Sequence, residues 1–327
     1  MSITAYAATM QSVWFSHDTG ESWSRLLTPT GGFYNEARCW AVAVHKDRPG
    51  EVLAGTDQGL YRYTTSAGRF DYVPSPMDDL HILRIARHPR DANFIACGTR
   101  PSELFISQDD GESWMRCDMN SCTECWFINT SRVTGIHFDP RDDDTLWVTI
   151  EIDGVFRSTD RGKTWTRHVT GLRDNDTHDL VFIDSDDART VLCSTEAGLH
   201  RSDDNGESWH YVDVPDNIAP WLYWRSIIAR PDDSGVVLAS VGDKPSGEAG
   251  VLLISHDAGR SWRQATLSEP VNSTIWSIAA HPSNPEQLFF ATIFGQIYRS
   301  DDGGESWQKM TRELGEIRMI AWQPTTN

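Results

Sequence analysis

The sequence predicts an all-β fold: a seven-bladed β-propeller of four-stranded antiparallel blades, closed by pairing of the C-terminal strand with the N-terminal blade. Three observations predict it. An eight-residue pattern, Ser-x-Asp-x-Gly-x-Ser/Thr-Trp, occurs six times. An apolar phrase, in most copies ending in Pro, recurs along the chain. The two ends each carry an incomplete unit, and each supplies what the other lacks. Self-similarity at a regular spacing marks an array of supersecondary units.

The copies read SHDTGESW (16–23), SQDDGESW (107–114), STDRGKTW (158–165), SDDNGESW (202–209), SHDAGRSW (255–262) and SDDGGESW (300–307). Each reads as a hairpin turn. The Asp is a short acceptor for backbone N–H groups of the turn. The Gly two residues later permits positive φ. The Trp starts the next strand with a large apolar face and one N–H to satisfy. One Asp per turn puts these carboxylates on separate blades, so they are read as turn residues and not as metal ligands or catalytic acids.

The interval from Trp23 to Trp114 is about twice the others, and a degenerate copy fills it. TTSAGRF (64–70) keeps Gly68, puts Ser66 where the Asp should be, and ends on Phe70. The apolar phrases are WAVAVHKDRP from Trp40, ILRIARHP from Ile82, VTGIHFDP from Val133, WRSIIARP from Trp224, IWSIAAHP from Ile275 and IRMIAWQP from Ile317. DLVFIDSD, from Asp179, lacks the Pro. Pro has no N–H for a ladder and can end a strand. A second apolar strand follows (EVLAGT, NFIACGT, TLWVTIE, TVLCSTE, VVLASVG, QLFFATI), and a third leads into the box. Four strands are the content of one propeller blade. The first box has two strands before it, and IRMIAWQP has none after it. Joining the two ends completes the seventh blade and removes exposed sheet edges. The repeat fills residues 1–327, which predicts a single domain.

The formal net charge of −18 argues against binding to a phosphate backbone. The acids are spread through turns such as RDDD and DSDD, as on a solvated surface. No run of eighteen apolar residues exists, so no membrane partner is predicted. MSITAYAATMQSVWFS reads as strands and not as a leader, which predicts a cytoplasmic location. Cys39, Cys97 and Cys193 sit in strand phrases as buried thiols. Cys117, Cys122 and Cys125 share one connection without a second CxxC or a nearby His, a pattern of unspecialised thiols before a disulfide or a metal. No cofactor is predicted, and nothing in the pattern supports a metal at the channel mouth.

Boxes mark the connections from third to fourth strand. The opposite face carries the connections from fourth to first and from second to third strand, and a ligand site is expected there, at the mouth of the central channel. Arg38, Arg132, Arg225 and Arg318 stand near the starts of four first strands. Guanidinium forks suit a carboxylate or phosphate, although neighbouring acids such as Glu36 and Glu316 can also answer them. Tyr34, Trp40, Tyr223, Trp224 and Trp276 crowd the same level, as stacking surfaces or as wedges between blades. Asp79, Glu124, Asp176 and, from the second-to-third turns, Glu151 and Glu196 add carboxylates. The catalytic candidates are His178, Asp179 and Glu36, because an imidazole beside a carboxylate can be poised near neutral pH. His81 joins the substrate-binding candidates. His45, His88 and His281 end first strands at the box face and are read as structural.

The boxes make the chain resemble the Asp-box, or BNR-repeat, propellers of the sialidase-like superfamily over its whole length. Relatives of that kind include sialidases, xyloglucan-degrading endoglucanases, sortilin-type receptors and photosystem II assembly factors. In sialidases the resemblance implies three arginines on a substrate carboxylate, an Asp as acid/base and a Tyr–Glu pair as nucleophile. The Phe/Tyr-Arg-Ile-Pro motif that carries the first of those arginines is missing here, and seven blades replace the sialidase six. The resemblance is therefore to a single-domain, seven-bladed branch. The expected function is a soluble hydrolase or lyase acting on a small anionic substrate, carboxylate-bearing and of sugar or aromatic type. The alternative is a non-catalytic propeller that receives a protein or peptide as a scaffold or assembly factor.

Overall fold

Strands and turns make up the described residues of the computed structural model, which cover 4–26, 37–125, 129–185 and 188–323. No helix among them is long and apolar enough to cross a membrane. Two compact units are present. One comprises Met1–Glu151, Phe156–Thr166 and Ala321–Asn327, the other Ile152–Val155 and Arg167–Ile320.

The fold is all-β, with seven four-stranded antiparallel sheets as the blades of a β-propeller. Chain order equals sheet order in six of them. One blade, for example, runs Cys39–Ala43, Glu51–Thr56, Gly59–Thr64, Arg69–Val73, and another runs Thr177–Asp184, Arg189–Thr195, Gly198–Ser202, His210–Val212. The remaining blade takes Ile317–Gln323 beside Thr4–Thr9, as the unmatched ends predict. Within the first unit Tyr6 Oη donates to Gln323 Oε1 at 3.2 Å, and Gln323 Nε2 donates to the Arg48 carbonyl at 2.7 Å.

Two features exceed the four-strand repeat. Thr266–Leu267 adds a fifth strand, parallel to Ser306–Lys309, because the outer strand of that blade otherwise leaves its backbone groups open. Glu124–Cys125 and Asn129–Thr130 form a small separate hairpin inside the cysteine-bearing connection. None of the six cysteines is in a disulfide, and burial pushes the thiols of Cys39, Cys97 and Cys193 upward.

The second strand of each blade is buried on both faces, as Leu146–Ile150 and Val237–Gly242 show, because neighbours cover both sides of the sheet. His45, His88 and His281 are structural. Each Nδ1 accepts the amide two residues on, from Asp47, Arg90 and Ser283, at 3.1 Å.

The boxes repeat one hydrogen-bond set. In the copy at Asp204, Ser202 Oγ donates to Oδ1 at 2.7 Å and accepts the Gly206 amide at 2.8 Å. The Ser208 amide reaches Oδ1 at 2.9 Å and its hydroxyl reaches Oδ2 at 2.5 Å. These donors stabilise the ionised form, so Asp160 and Asp204 fall to about 2. Most box indoles return their N–H to the box Gly carbonyl. Trp209 instead donates to the His168 carbonyl at 3.2 Å and is among the largest fully buried side chains.

A β-bulge recurs near the start of the first strand in six blades. The register slips between Cys39 and Ala41, Ile82 and Arg84, Val133 and Gly135, Thr177 and Asp179, Trp224 and Ile227, and Ile275 and Ser277. The residues left out of the pairing are Trp40, Leu83, Thr134, His178, Arg225 with Ser226, and Trp276. A bulge re-aims such a side chain.

Two predictions follow from the boxes and their packing. A carboxylate depressed in the fold stabilises it above its unfolded pKa of about 3.9 and ceases to do so as pH falls toward the folded value. The melting temperature should therefore hold down to about pH 4 and drop between about pH 4 and 2, with a shallower drop for Asp204→Asn, read by scanning calorimetry. A Cβ on Gly171, at φ +91°, would lie 2.1 Å from the Trp209 carbonyl oxygen. Gly171→Ala should cost about 2–3 kcal/mol and Trp209→Ala about 3–5 kcal/mol in urea unfolding.

Candidate functional site

The second unit gathers most of the chemistry-bearing side chains. The bulge at Thr177/Asp179 leaves His178 without a ladder partner and buries its ring, which is 2% exposed. Nδ1 lies 2.6 Å from the Trp224 carbonyl, an acceptor, so Nδ1 carries the proton. Nε2 then faces Asp176 Oδ1 at 3.4 Å. The Tyr223 ring closes one side, its centroid 4.7 Å from the imidazole. Glu196 joins from the neighbouring strand end, where its amide donates to the Asp176 carbonyl at 3.0 Å. One ligand atom each of Asp176, His178 and Glu196 lies within 4.8 Å of the others.

The carboxylate beside the imidazole is thus Asp176 and not the adjacent Asp179. Asp179 Oδ1 accepts the Leu180 amide at 3.0 Å and Oδ2 accepts the Ile227 amide at 3.2 Å, so it pins two first strands together. Neighbouring strand residues project to opposite sides, which separates the two.

The strand that receives His178 also carries Arg225. Its side chain is buried, the residue being 4% exposed, and the guanidinium carbon lies 4.0 Å from the centroid of Trp276. Arg225 Nη1 is buried with no hydrogen-bond partner, and no carboxylate pairs with this arginine among the described residues. Arg318 lies over the same indole at 5.3 Å. Its charge is met by Glu316, with which it pairs closely.

In the first unit Arg132 Nη2 pairs with Glu151 Oε1 at 2.6 Å, both largely buried. Arg38 is exposed, with Asp57 4.0 Å away. His81 stacks on Trp40, centroids 6.1 Å apart and planes 19° from parallel. The four arginines expected to converge are therefore unequal. Carboxylates pair with Arg132 and Arg318 at hydrogen-bond range and Asp57 stands 4.0 Å from the exposed Arg38, while Arg225 alone of the four has none among the described residues.

Trp224, expected as a stacking surface, lies in the core of its blade, edge-on to Trp262 at 5.7 Å. Tyr223 is buried against His178. Tyr34 and Glu36 lie outside the described residues. Sequence reasoning counted Asp176 and Glu196 among the carboxylates of this face but did not join them to His178. The bulge that turns His178 toward them leaves no mark beyond the Asp-x-His spacing.

The BNR/Asp-box repeat model matches residues 156–167 and 298–309. The photosystem II assembly lipoprotein Ycf48 of Synechococcus sp. (strain CC9902) is 26% identical over 137 residues, 41% of this chain and 37% of its own. The GH74 xyloglucanase of Xanthomonas campestris superposes with a TM-score of 0.63 at 22% identity, over 83% of this chain and 45% of that one. YCF48 bound to D1 peptide superposes with a TM-score of 0.56 at 14% identity, over 84% of this chain and 80% of that one. The chain spans less than half the length of the first curated relatives it matches. At these identities the structural likeness concerns the fold.

The Arg132–Glu151 pair yields a prediction independent of any ligand. Glu151→Ala strands a largely buried guanidinium and should cost about 3–5 kcal/mol. Urea unfolding of this variant and of the double variant with Arg132→Met checks it, the double variant regaining part of the loss.

Proposed function

Starting from an Asp-box (BNR-repeat) β-propeller that is not a true sialidase, we propose that the second unit binds an anionic ligand at Arg225 and acts on it as a hydrolase or lyase. One observation carries the reading. Arg225 is a buried cation laid on an indole, with no carboxylate beside it among the described residues. Withdrawing a guanidinium from water costs several kcal/mol unless an anion or equivalent partners compensate it. The indole face offsets part of this, about 2 kcal/mol at a desolvated site. A carboxylate on the ligand supplies the rest, and Trp276 offers a flat surface to the ring that bears it. Asp176, His178 and Glu196 provide the groups from which hydrolysis or elimination draws its chemistry. The fold is shared with a GH74 xyloglucanase, which supports a saccharide as the ligand class, while its acid group is argued from Arg225 alone.

A second reading rests on a different observation. Carboxylates already neutralise Arg132 and Arg318, and Arg38 is exposed to solvent, which leaves no multi-arginine anion trap among the described residues. A non-catalytic propeller that receives a peptide needs none, and YCF48 holds a D1 peptide on this fold. There Arg225 would take a carboxylate of the peptide.

Titration calorimetry with glucuronate, benzoate and a peptide ending in a free carboxylate separates the readings. Arg225→Ala should weaken the bound probe by about 1.5–3 kcal/mol, the range for hydrogen bonds to charged groups. Unchanged affinity in that variant, or no binding of any anionic probe, would refute the anion site. Binding of the peptide alone, without binding of either acid and without release of nitrophenol from a nitrophenyl glucuronide, would select the second reading.

A further inference from the structure

No metal was expected from the sequence, yet three side chains of one blade meet in the arrangement a metal needs: His178 on its first strand, Asp176 just before it and Glu196 in the turn after its second. We propose that Asp176, His178 and Glu196 form a binding site for one divalent transition-metal ion, Zn²⁺ by ligand type. These are the groups on which the proposed reaction draws, but the metal site does not depend on anion binding at Arg225.

The argument begins with the imidazole. The Trp224 carbonyl can only accept, so the 2.6 Å contact fixes the proton on Nδ1. Nε2 then faces Asp176 Oδ1 at 3.4 Å, and either a proton on Nε2 or a metal ion can join the two. The carboxylate of Glu196 on the same spot favours the metal. A histidine that donates its other ring N–H to a backbone carbonyl is how proteins hold a metal-ligating imidazole in the right tautomer and orientation. His178 is almost wholly buried and cannot turn away.

The spacing fits the ion. Bonds of about 2.0–2.1 Å place neighbouring ligand atoms of a tetrahedral centre roughly 3.3 Å apart, close to the Nε2–Oδ1 separation. Glu196 comes from the turn after Arg189–Thr195, and its ligand atom lies within 4.8 Å of the other two, a gap that a change of side-chain torsion closes. The backbone bond from the Glu196 amide to the Asp176 carbonyl locks the two segments together. The bulge at Thr177/Asp179 is the device that takes His178 out of the ladder at this point.

The chemistry follows from the ligand set. One imidazole and two carboxylates suit Zn²⁺ or Mn²⁺ better than the oxygen-only shell of Ca²⁺ or Mg²⁺. Three protein ligands leave a fourth position for water or a ligand oxygen, as catalytic zinc centres do. Glu196 is exposed and Asp176 partly so, which gives the ion a way in from solvent. The two carboxylates balance the charge of a divalent ion.

The test uses chelator-stripped full-length protein titrated with Zn²⁺ by calorimetry and with Co²⁺ by visible absorption. One ion per chain is expected, with a cobalt spectrum free of thiolate charge-transfer bands, and with a higher melting temperature when zinc is present. Glu196→Gln changes an exposed side chain and should weaken zinc by at least about tenfold while leaving the metal-free melting temperature unchanged. Asp176→Asn should weaken zinc likewise. Arg225→Ala should leave zinc affinity unchanged, so this site and the anion site fail separately. No zinc binding, equal binding by Glu196→Gln and the unaltered protein, or binding abolished by Cys122→Ser would each overturn the proposal. In the first case His178 and Asp176 are an imidazolium–carboxylate pair; in the last the exposed thiol is the ligand.

Discussion

One carboxylate per box turn holds the hairpin on which each box-bearing blade depends. Its two oxygens take a backbone amide and a hydroxyl from the same residue four positions on, and the preceding Ser hydroxyl bridges back to the Gly amide. The turn thereby satisfies its own polar groups without help from elsewhere. That frees the box Trp to leave the turn and enter the packing. Its N–H returns to the Gly carbonyl in five copies, so a large apolar face is buried without an orphaned donor. Trp307 shows the result, lying against Phe290 with ring centroids 4.9 Å apart.

Rigidity at the box end leaves the other end of each blade free to vary. The bulges sit there, one in each of six first strands, and the side chains they release are Trp40, Leu83, Thr134, His178, Arg225 and Trp276. A regular ladder would bind each to a fixed side of the sheet. The slip turns one position per blade out of that alternation at the cost of local hydrogen bonding. The same backbone device thus presents an apolar, a hydroxylic, an aromatic, a cationic or an imidazole side chain according to sequence alone. In the second unit it delivers both the buried cation on Trp276 and the imidazole between Trp224 and Asp176.

Electrostatics distinguishes these positions more sharply than residue type does. Arg132 and Arg318 are cations like Arg225, yet each meets a carboxylate at hydrogen-bond range and has no charge left to offer. Asp176 and Asp179 are two carboxylates flanking the Thr177–His178 pair, and they part company in the same way. Asp179 spends its oxygens on the amides of Leu180 and Ile227, whereas Asp176 faces the imidazole.

The sequence by itself determined the architecture, because the signals behind it are local. The box is complete within eight residues, the blade within four apolar segments, and the closing strand follows from counting them. The degenerate turn at 64–70 was legible for the same reason, since Gly68 keeps the positive φ the turn requires. The sequence also named the level at which the site lies and most of its residues, Arg225, Trp276 and His178 among them. It could not decide which of them act. That required knowing which arginines find a carboxylate across a strand, and where each first strand slips register. The fifth strand at Thr266–Leu267 and the union of Asp176, His178 and Glu196 depend likewise on backbone pairing between segments distant in the chain. Such pairing is fixed by packing between strands, which no single stretch of residues records.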